Sequence, residues 1–125
     1  YGVYACKGQR FSVKQMPVWI FMKNHITKYR ILNHWDNLDD TVERGYAGLS
    51  MWEWTAKEIP TERIHHYGEL CASVGLNGAV LNNVNANPLI LDKEHIERVA
   101  QIANILREYG ITTYLSIKWD KSCHS

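Results

Sequence analysis

The sequence predicts a parallel α/β fold. Apolar strand-like runs alternate with segments of helical period between Arg30 and Ser116. Each helical segment ends at a glycine, and an apolar run follows within a few residues. The connections are also lopsided: those from helix to strand are tight, whereas those from strand to helix are long.

Tyr29 to Leu32 is the first strand, a short apolar run. Thr61 to Val74 reads as the first helix, because Ile64, Tyr67, Leu70, Cys71 and Val74 fall on one face at helical spacing. Pro60-Thr61 starts it with Thr61 as the expected N-cap, and Gly75 stops it. Gly78 to Leu81 is the second strand. Asp92 to Tyr109 is the second helix, capped by Asp92, with Ile96, Val99, Ala100, Ala103 and Leu106 as its expected buried stripe and Gly110 as its stop. Ile111 to Ile117, rich in Thr and Ile, is the third strand. Strands joined through helices are parallel with right-handed crossovers, and parallel strands are expected to be buried on both faces. Residues from Tyr1 to about Lys28 fit this pattern poorly and read as a tail and linker.

A chain of 125 residues is enough for one small domain with a core. The formal net charge of +1 gives no electrostatic case for nucleic acid or a membrane surface as partner. The longest apolar run, Met16 to Met22, is too short to span a bilayer and contains Pro17. Cys6, Cys71 and Cys123 form neither a disulfide framework nor a zinc pattern. Cys71, on the apolar helix face, reads as a buried thiol compatible with a reducing compartment.

In parallel α/β folds ligands bind at the carboxyl ends of the strands. Two long loops lie there, His34 to Pro60 and Asn82 to Leu91, and Lys118-Trp119-Asp120 follows the third strand. The first loop opens with Asn33-His34-Trp35-Asp36-Asn37, the second with Asn82-Asn83-Val84-Asn85. A Trp flanked by His, Asp and Asn suits a sugar: the indole packs on a pyranose face while amides and carboxylates bind hydroxyls. Each Asn alone reads equally well as a turn residue. Three near one strand end imply polar partners, either in the protein or in a ligand. Among the acids, Asp36, Asp39, Asp40, Glu43 and Asp120 declare no catalytic pair by spacing. Asp39-Asp40 reads as a solvated turn and Glu43-Arg44 as a loop-fixing ion pair. His34 has no second His at ligand spacing, and the His65-His66 offset does not put two ligands on one helix face, so no metal site is expected. The glycines of "GYAGLS" lack the lysine of a phosphate loop.

The segments "YRILNHWDNLDDTVERGYAG", "YGELCASVGLNGAVLNNVNA" and "ILREYGITTYLSIKW" resemble, in order and across nearly the whole chain, the α-glucuronidases of glycoside hydrolase family 67. The resemblance implies the first three β/α units of a (β/α)8 TIM barrel, an incomplete barrel of parallel strands. Residues 25–125 would be the N-terminal portion of that barrel and 1–24 the tail of a preceding domain plus linker, with "YGVYAC" resembling that domain's last helix. Such enzymes remove 4-O-methyl-glucuronic acid from the non-reducing end of glucuronoxylo-oligosaccharides (aldouronic acids), with inversion and without a cofactor. The parent enzyme is expected to be a homodimer, in a cytoplasmic or periplasmic compartment. By the matched motifs, His34, Trp35, Asp36, Asn37, Asn82, Asn83 and Asn85 would bind substrate, Trp35 as a pocket wall and the amides at its floor or rim. Arg44 and Lys118 are the cations expected, from charge and position, to face an anionic sugar. The family's catalytic acid and base carboxylates come from later strands, so no catalytic residue is expected in this chain and the chain alone is expected to be inactive. The ending "DKSCHS" departs from the family pattern. A second reading is a non-catalytic carbohydrate-binding module derived from such a barrel. Three parallel strands with unpaired edges predict marginal stability or oligomerisation of the isolated chain.

Overall fold

The computed structural model describes residues 27–43 and 48–118, together with the backbone of 3–6 and 9–12. Strands β1 (Val3–Cys6) and β2 (Gln9–Ser12) form an antiparallel pair. The opening residues therefore contain a strand, not the helix that the family likeness implies.

The rest is a three-stranded parallel sheet in the order β3 (Ile31–Asn33), β4 (Gly78–Val80) and β5 (Thr112–Tyr114). Helix α1 (Thr61–Ser73) joins β3 to β4, and α2 (Lys93–Arg107) joins β4 to β5 after a 3₁₀ turn at Pro88–Leu91. The α/β alternation read from the sequence is the alternation observed.

Both helices stop at a glycine in the left-handed region, Gly75 at φ 84° and Gly110 at φ 74°. The amides past each stop close back on the last turn: Gly75 N on Ala72 O, Leu76 N on Cys71 O, Gly110 N on Arg107 O and Ile111 N on Leu106 O. These are Schellman closures, which satisfy the orphan carbonyls and turn the chain straight into the next strand. Asp92 caps α2 by accepting from His95 N at 2.8 Å. Thr61 does not cap α1: it is the first helical residue, and Pro60 stands at the N-cap without a side-chain bond.

The buried face of α1 is rotated from the expected one. Ile64, Gly68, Cys71 and Ala72 are buried, whereas Leu70 and Val74 are 65% and 55% exposed. The cause is small residues. A Cβ on Gly68 would lie 2.3 Å from the Tyr109 ring, so the missing side chain lets the helix seat against that aromatic. On α2 the buried residues are Arg98, Ile102 and Leu106, with Val99 partly buried, while Ile96 and Ala100 are exposed. Arg98 is buried because its guanidinium caps loop carbonyls, donating to Ala56 O at 2.8 Å and Glu53 O at 2.5 Å.

Among the described residues only the central strand is covered as parallel strands usually are: Gly78 and Ala79 are buried, while all three residues of β3 are exposed. Among the described residues β3 has one neighbour, so it is an edge strand. The core packs Ile64, Cys71, Ala79, Leu81, Ile102 and Leu106 with Trp52 and Trp54, which the long first loop folds inward. Cys71 is the expected buried thiol. Among the described residues no helix is long and apolar enough to cross a membrane.

Candidate functional site

The ends of β3 and β4 are stitched together by backbone bonds that carry the parallel ladder past the strands. His34 N donates to Val80 O at 3.0 Å, and Asn83 N donates to Asp36 O at 2.9 Å. The first loop then doubles back. Glu43 N donates to Trp35 O, Asn37 N to Thr41 O, and Asp36 and Val42 form an antiparallel bridge. This hairpin-like fold sets the carboxyl and amide side chains of residues 36 to 39 beside the second loop.

Between the two loops lies a cleft of about 240 Å³. Asp36, Asn37 and Asp39 line it from the first loop, and Asn82, Asn83, Asn85 and Asn87 from the second. Five of the nine residues expected to bind substrate, Asp36, Asn37, Asn82, Asn83 and Asn85, are thus brought together. His34, Trp35 and Lys118 do not line the cleft. Arg44, with Trp119 and Asp120, lies outside the described residues.

Three of the lining amides, Asn82, Asn83 and Asn37, are anchored by their side chains. Asn82, 2% exposed, donates from Nδ2 to Ser116 O at 2.9 Å and accepts Ser116 N on Oδ1 at 2.8 Å. Asn83, also 2% exposed, donates from Nδ2 to Asn37 Oδ1 at 3.0 Å and to the Glu43 carboxylate, and its Oδ1 accepts Asn85 N at 3.0 Å. Asn37 Nδ2 in turn donates to Thr41 Oγ1 at 3.0 Å. The sequence left open whether such asparagines serve the protein or a ligand. Asn82 and Asn83 are held by the protein and present a fixed polar wall; Asn85 is exposed at the rim.

Asp36 is the buried carboxyl of the site, 5% exposed, accepting from Ser50 Oγ at 2.6 Å on Oδ2. Its Oδ1 is 3.8 Å from His34 Nδ1. The other nitrogen, His34 Nε2, is 2.8 Å from Tyr67 Oη, and the imidazole meets the Trp52 ring edge to face at 5.1 Å. Burial holds the His34 imidazole below its usual range, and the Asp36 carboxyl partly offsets this. Burial chiefly, with the Cys71 thiol next, pushes the Tyr67 phenol up. His34 is therefore an aromatic-packed, neutral partner standing behind Asp36.

The adjacent acids are not a solvated turn throughout. Asp39 is exposed and accepts Thr41 N at 3.0 Å and Thr41 Oγ1 at 2.5 Å, which hold its carboxyl below the usual carboxylate range. Asp40 reaches across the loop to accept Trp54 N at 2.6 Å, Thr55 N at 3.1 Å and Thr55 Oγ1. Glu43 is bonded to Asn83; its expected partner Arg44 lies outside the described residues.

Sequence reasoning missed Asn87 and Asp39 as lining residues, and Ser50 and Tyr67 as supports. Asn87 also caps the 3₁₀ turn, accepting Leu89 N at 3.0 Å, so its position before Pro88 carried a capping signal. Ser50 and Tyr67 had none, being 14 and 31 residues from Asp36 along the chain. Among the described residues no group of three or more His, Cys, Asp or Glu side chains is placed to hold a metal ion.

A parallel α/β sheet with a cleft of amides and carboxyls at its carboxyl edge is a ligand-binding arrangement. Residues 12–124 match the glycosyl hydrolase family 67 middle domain, and the chain belongs to that family. It is 42% identical over 105 residues to alpha-glucuronidase A of Emericella nidulans, a match covering 79% of this chain and 12% of that protein. It is 40% identical over 121 residues to a probable alpha-glucuronidase A of Aspergillus clavatus, covering 95% of this chain and 14% of that protein. The chain thus spans about an eighth of the length of these curated relatives.

Proposed function

We propose that this chain serves as part of an α-glucuronidase that removes 4-O-methyl-glucuronic acid from the non-reducing end of glucuronoxylo-oligosaccharides. Residues 25–125 are read as the first three β/α units of a (β/α)8 barrel, and 1–24 as the end of the domain before it. The observation that carries the reading is the cleft between the loops after β3 and β4, lined by Asp36, Asn37, Asn83 and Asn85, in a chain of this family. Its part is substrate recognition: anchored amides offer hydroxyl partners at fixed positions, so little ordering cost is left for binding. Trp35 and Lys118, near the same strand ends, and Arg44 are assigned to neighbouring parts of the same pocket. The catalytic carboxylates are assigned to later strands of the parent enzyme, which acts as a homodimer without a cofactor.

Incubating the purified chain with an aldouronic acid tests the division of labour. No free 4-O-methyl-glucuronate is expected, and its release would overturn the assignment of catalysis to other strands. Titration of the isotope-labelled chain with the same sugar tests recognition. Backbone amide signals of Asn37, Asn83 and Asn85 are expected to move, and unmoved signals at millimolar sugar would overturn the pocket.

A further inference from the structure

At the amino end of the sheet, opposite the cleft, the side chain of Asn77 ties β4 to the segment that leads into β3. Its Oδ1 accepts Arg30 N at 2.7 Å, and its Nδ2 donates to Lys28 O at 2.7 Å. The backbone adds to the tie: Asn77 N donates to Arg30 O at 2.9 Å, and Asn77 O accepts Thr112 N at 3.0 Å. Arg30 closes the latch from its own side, donating from Nε to Gly75 O at 2.6 Å and from Nη1 to Thr27 O at 2.6 Å. The Asn77 amide thus offers what a backbone unit would, one donor and one acceptor, to partners 49 and 47 residues away.

Asn77 is followed by Gly78, and this is the only Asn-Gly pair in the sequence. Gly78 is required where it stands: a Cβ there would lie 2.8 Å from Ile31 Cγ1 and 2.9 Å from Tyr114 Cε2. The two demands together put a reactive pair into the sheet. In an Asn-Gly pair the glycine nitrogen attacks the asparagine Cγ with no side chain in its way. A C–N bond forms and the Cγ–Nδ2 bond breaks. Nδ2 leaves as ammonia, taking the proton of the glycine N–H. One water then opens the cyclic imide to aspartate or isoaspartate, so amide plus water gives carboxylate plus ammonium. In the folded chain Asn77 Cγ is not free to turn toward Gly78 N, because both its oxygen and its nitrogen are held by the segment before β3.

We infer that Asn77 is a deamidation site, kept intact by its latch to Lys28 and Arg30 and released to reaction when that segment parts from β4. The gate is local. Among the described residues β3 is an edge strand with all three residues exposed, so its amino end can open without the core. Asn77 is half-buried, and water reaches it once the latch opens. The reaction runs one way. An aspartate at position 77 keeps an acceptor for Arg30 N but has no hydrogen for Lys28 O, and an isoaspartate lengthens the main chain entering β4 by one carbon. Each opening that ends in reaction leaves β3 less firmly held.

Incubating the 125-residue chain in mildly alkaline buffer, with and without urea, tests this, with deamidation at Asn77 located and timed by peptide mass spectrometry. The half-life of Asn77 in buffer is expected to exceed that in denaturing urea by about tenfold or more. Equal half-lives would overturn the inference. Through sub-denaturing urea the rate is expected to rise with a shallower slope than the unfolding curve read by circular dichroism, because local opening exposes less surface. A rate that follows global unfolding would overturn the local gate. In R30A, which removes the bonds to Gly75 O and Thr27 O, a rate between the folded and urea-unfolded wild-type values is expected. An unchanged rate would remove the guanidinium from the latch, and a rate equal to the unfolded one would show that Arg30 holds the whole fold instead. N77D, which carries the reaction's aspartate, is expected to unfold at a lower urea midpoint than wild type. An unchanged midpoint would show that the Lys28 bond does not hold β3.

Discussion

The side chain of Asn82 pairs with the backbone of Ser116 as a strand would, giving one bond at 2.9 Å and taking one at 2.8 Å. The backbone ladder between β4 and β5 ends with Leu81 N on Tyr114 O at 3.0 Å. One residue later the chain of β4 turns away into its loop, and the Asn82 amide continues the pairing. In N82A the Ser116 N–H and C=O lose their partner in a site that is 2% exposed at residue 82. A cost of about 1–3 kcal/mol is expected, read as a lower urea midpoint with unchanged slope. N82D should cost at least as much, because at neutral pH its carboxylate cannot donate to Ser116 O.

Asp40 pins the far side of the first loop. It sits at φ 69° and its carboxylate holds the Trp54 and Thr55 amides. Asn keeps an acceptor oxygen and tolerates this backbone region; Gly relieves the backbone but bonds nothing; Ala does neither. Stability is therefore expected to fall in the order wild type, D40N, D40G, D40A, with D40A losing about 2–3 kcal/mol. Trp54 is 4% exposed and leaves the core with the loop, so a red-shifted Trp fluorescence should accompany the loss. An order with D40G above D40N would show that backbone strain outweighs the bonds.

Gly68 lies inside α1, where Ala is ordinarily better by about 1 kcal/mol. Here the added methyl would meet Tyr109 Cδ2 at 2.3 Å. Tyr109 has little room to yield, being 6% exposed and hydrogen-bonded through Oη to His65 Nδ1 at 2.7 Å. G68A is expected to destabilise by roughly 1–3 kcal/mol despite the helical gain, measured by thermal or urea unfolding. A stabilised G68A would show that the two helices part without cost.

The alternation of strands and helices was legible because it rests on local signals. Gly75 and Gly110 mark the Schellman stops, and Asp92 marks a cap, all within a few residues of what they control. The buried face of α1 was misjudged because burial there depends on a residue with no side chain, Gly68, meeting Tyr109, which is 41 positions away. Hydropathy ranks Leu70 and Val74 above Gly68 and Ala72, but contact geometry reverses that order. At the site, the loop positions gathered at the strand ends were legible as "NHWDN" and "NNVN". Their division of labour was not. Which asparagine is held by Ser116, and which by Glu43, follows from pairings 34 and 40 residues apart that no spacing encodes.

His34 gives the fold a pH dependence of definite sign. Its folded value lies below the unfolded value of 6.5, because burial against Trp52 and Tyr67 disfavours the imidazolium more than Asp36 favours it. Below pH 6.5 the unfolded chain therefore binds a proton that the folded chain resists. Stability from this residue is fully present above that pH and is lost as pH falls beneath it, down to the folded value. The slope for one proton is at most about 1.4 kcal/mol per pH unit. In H34Q that slope disappears, while the Gln amide can still meet Tyr67 Oη. Urea midpoints of both proteins at pH 8, 7, 6 and 5.5 check this: wild type should drop more steeply than H34Q only below about pH 6.5. Parallel pH profiles would show that His34 keeps its proton equilibrium on folding, and that the Asp36 carboxyl fully offsets its burial.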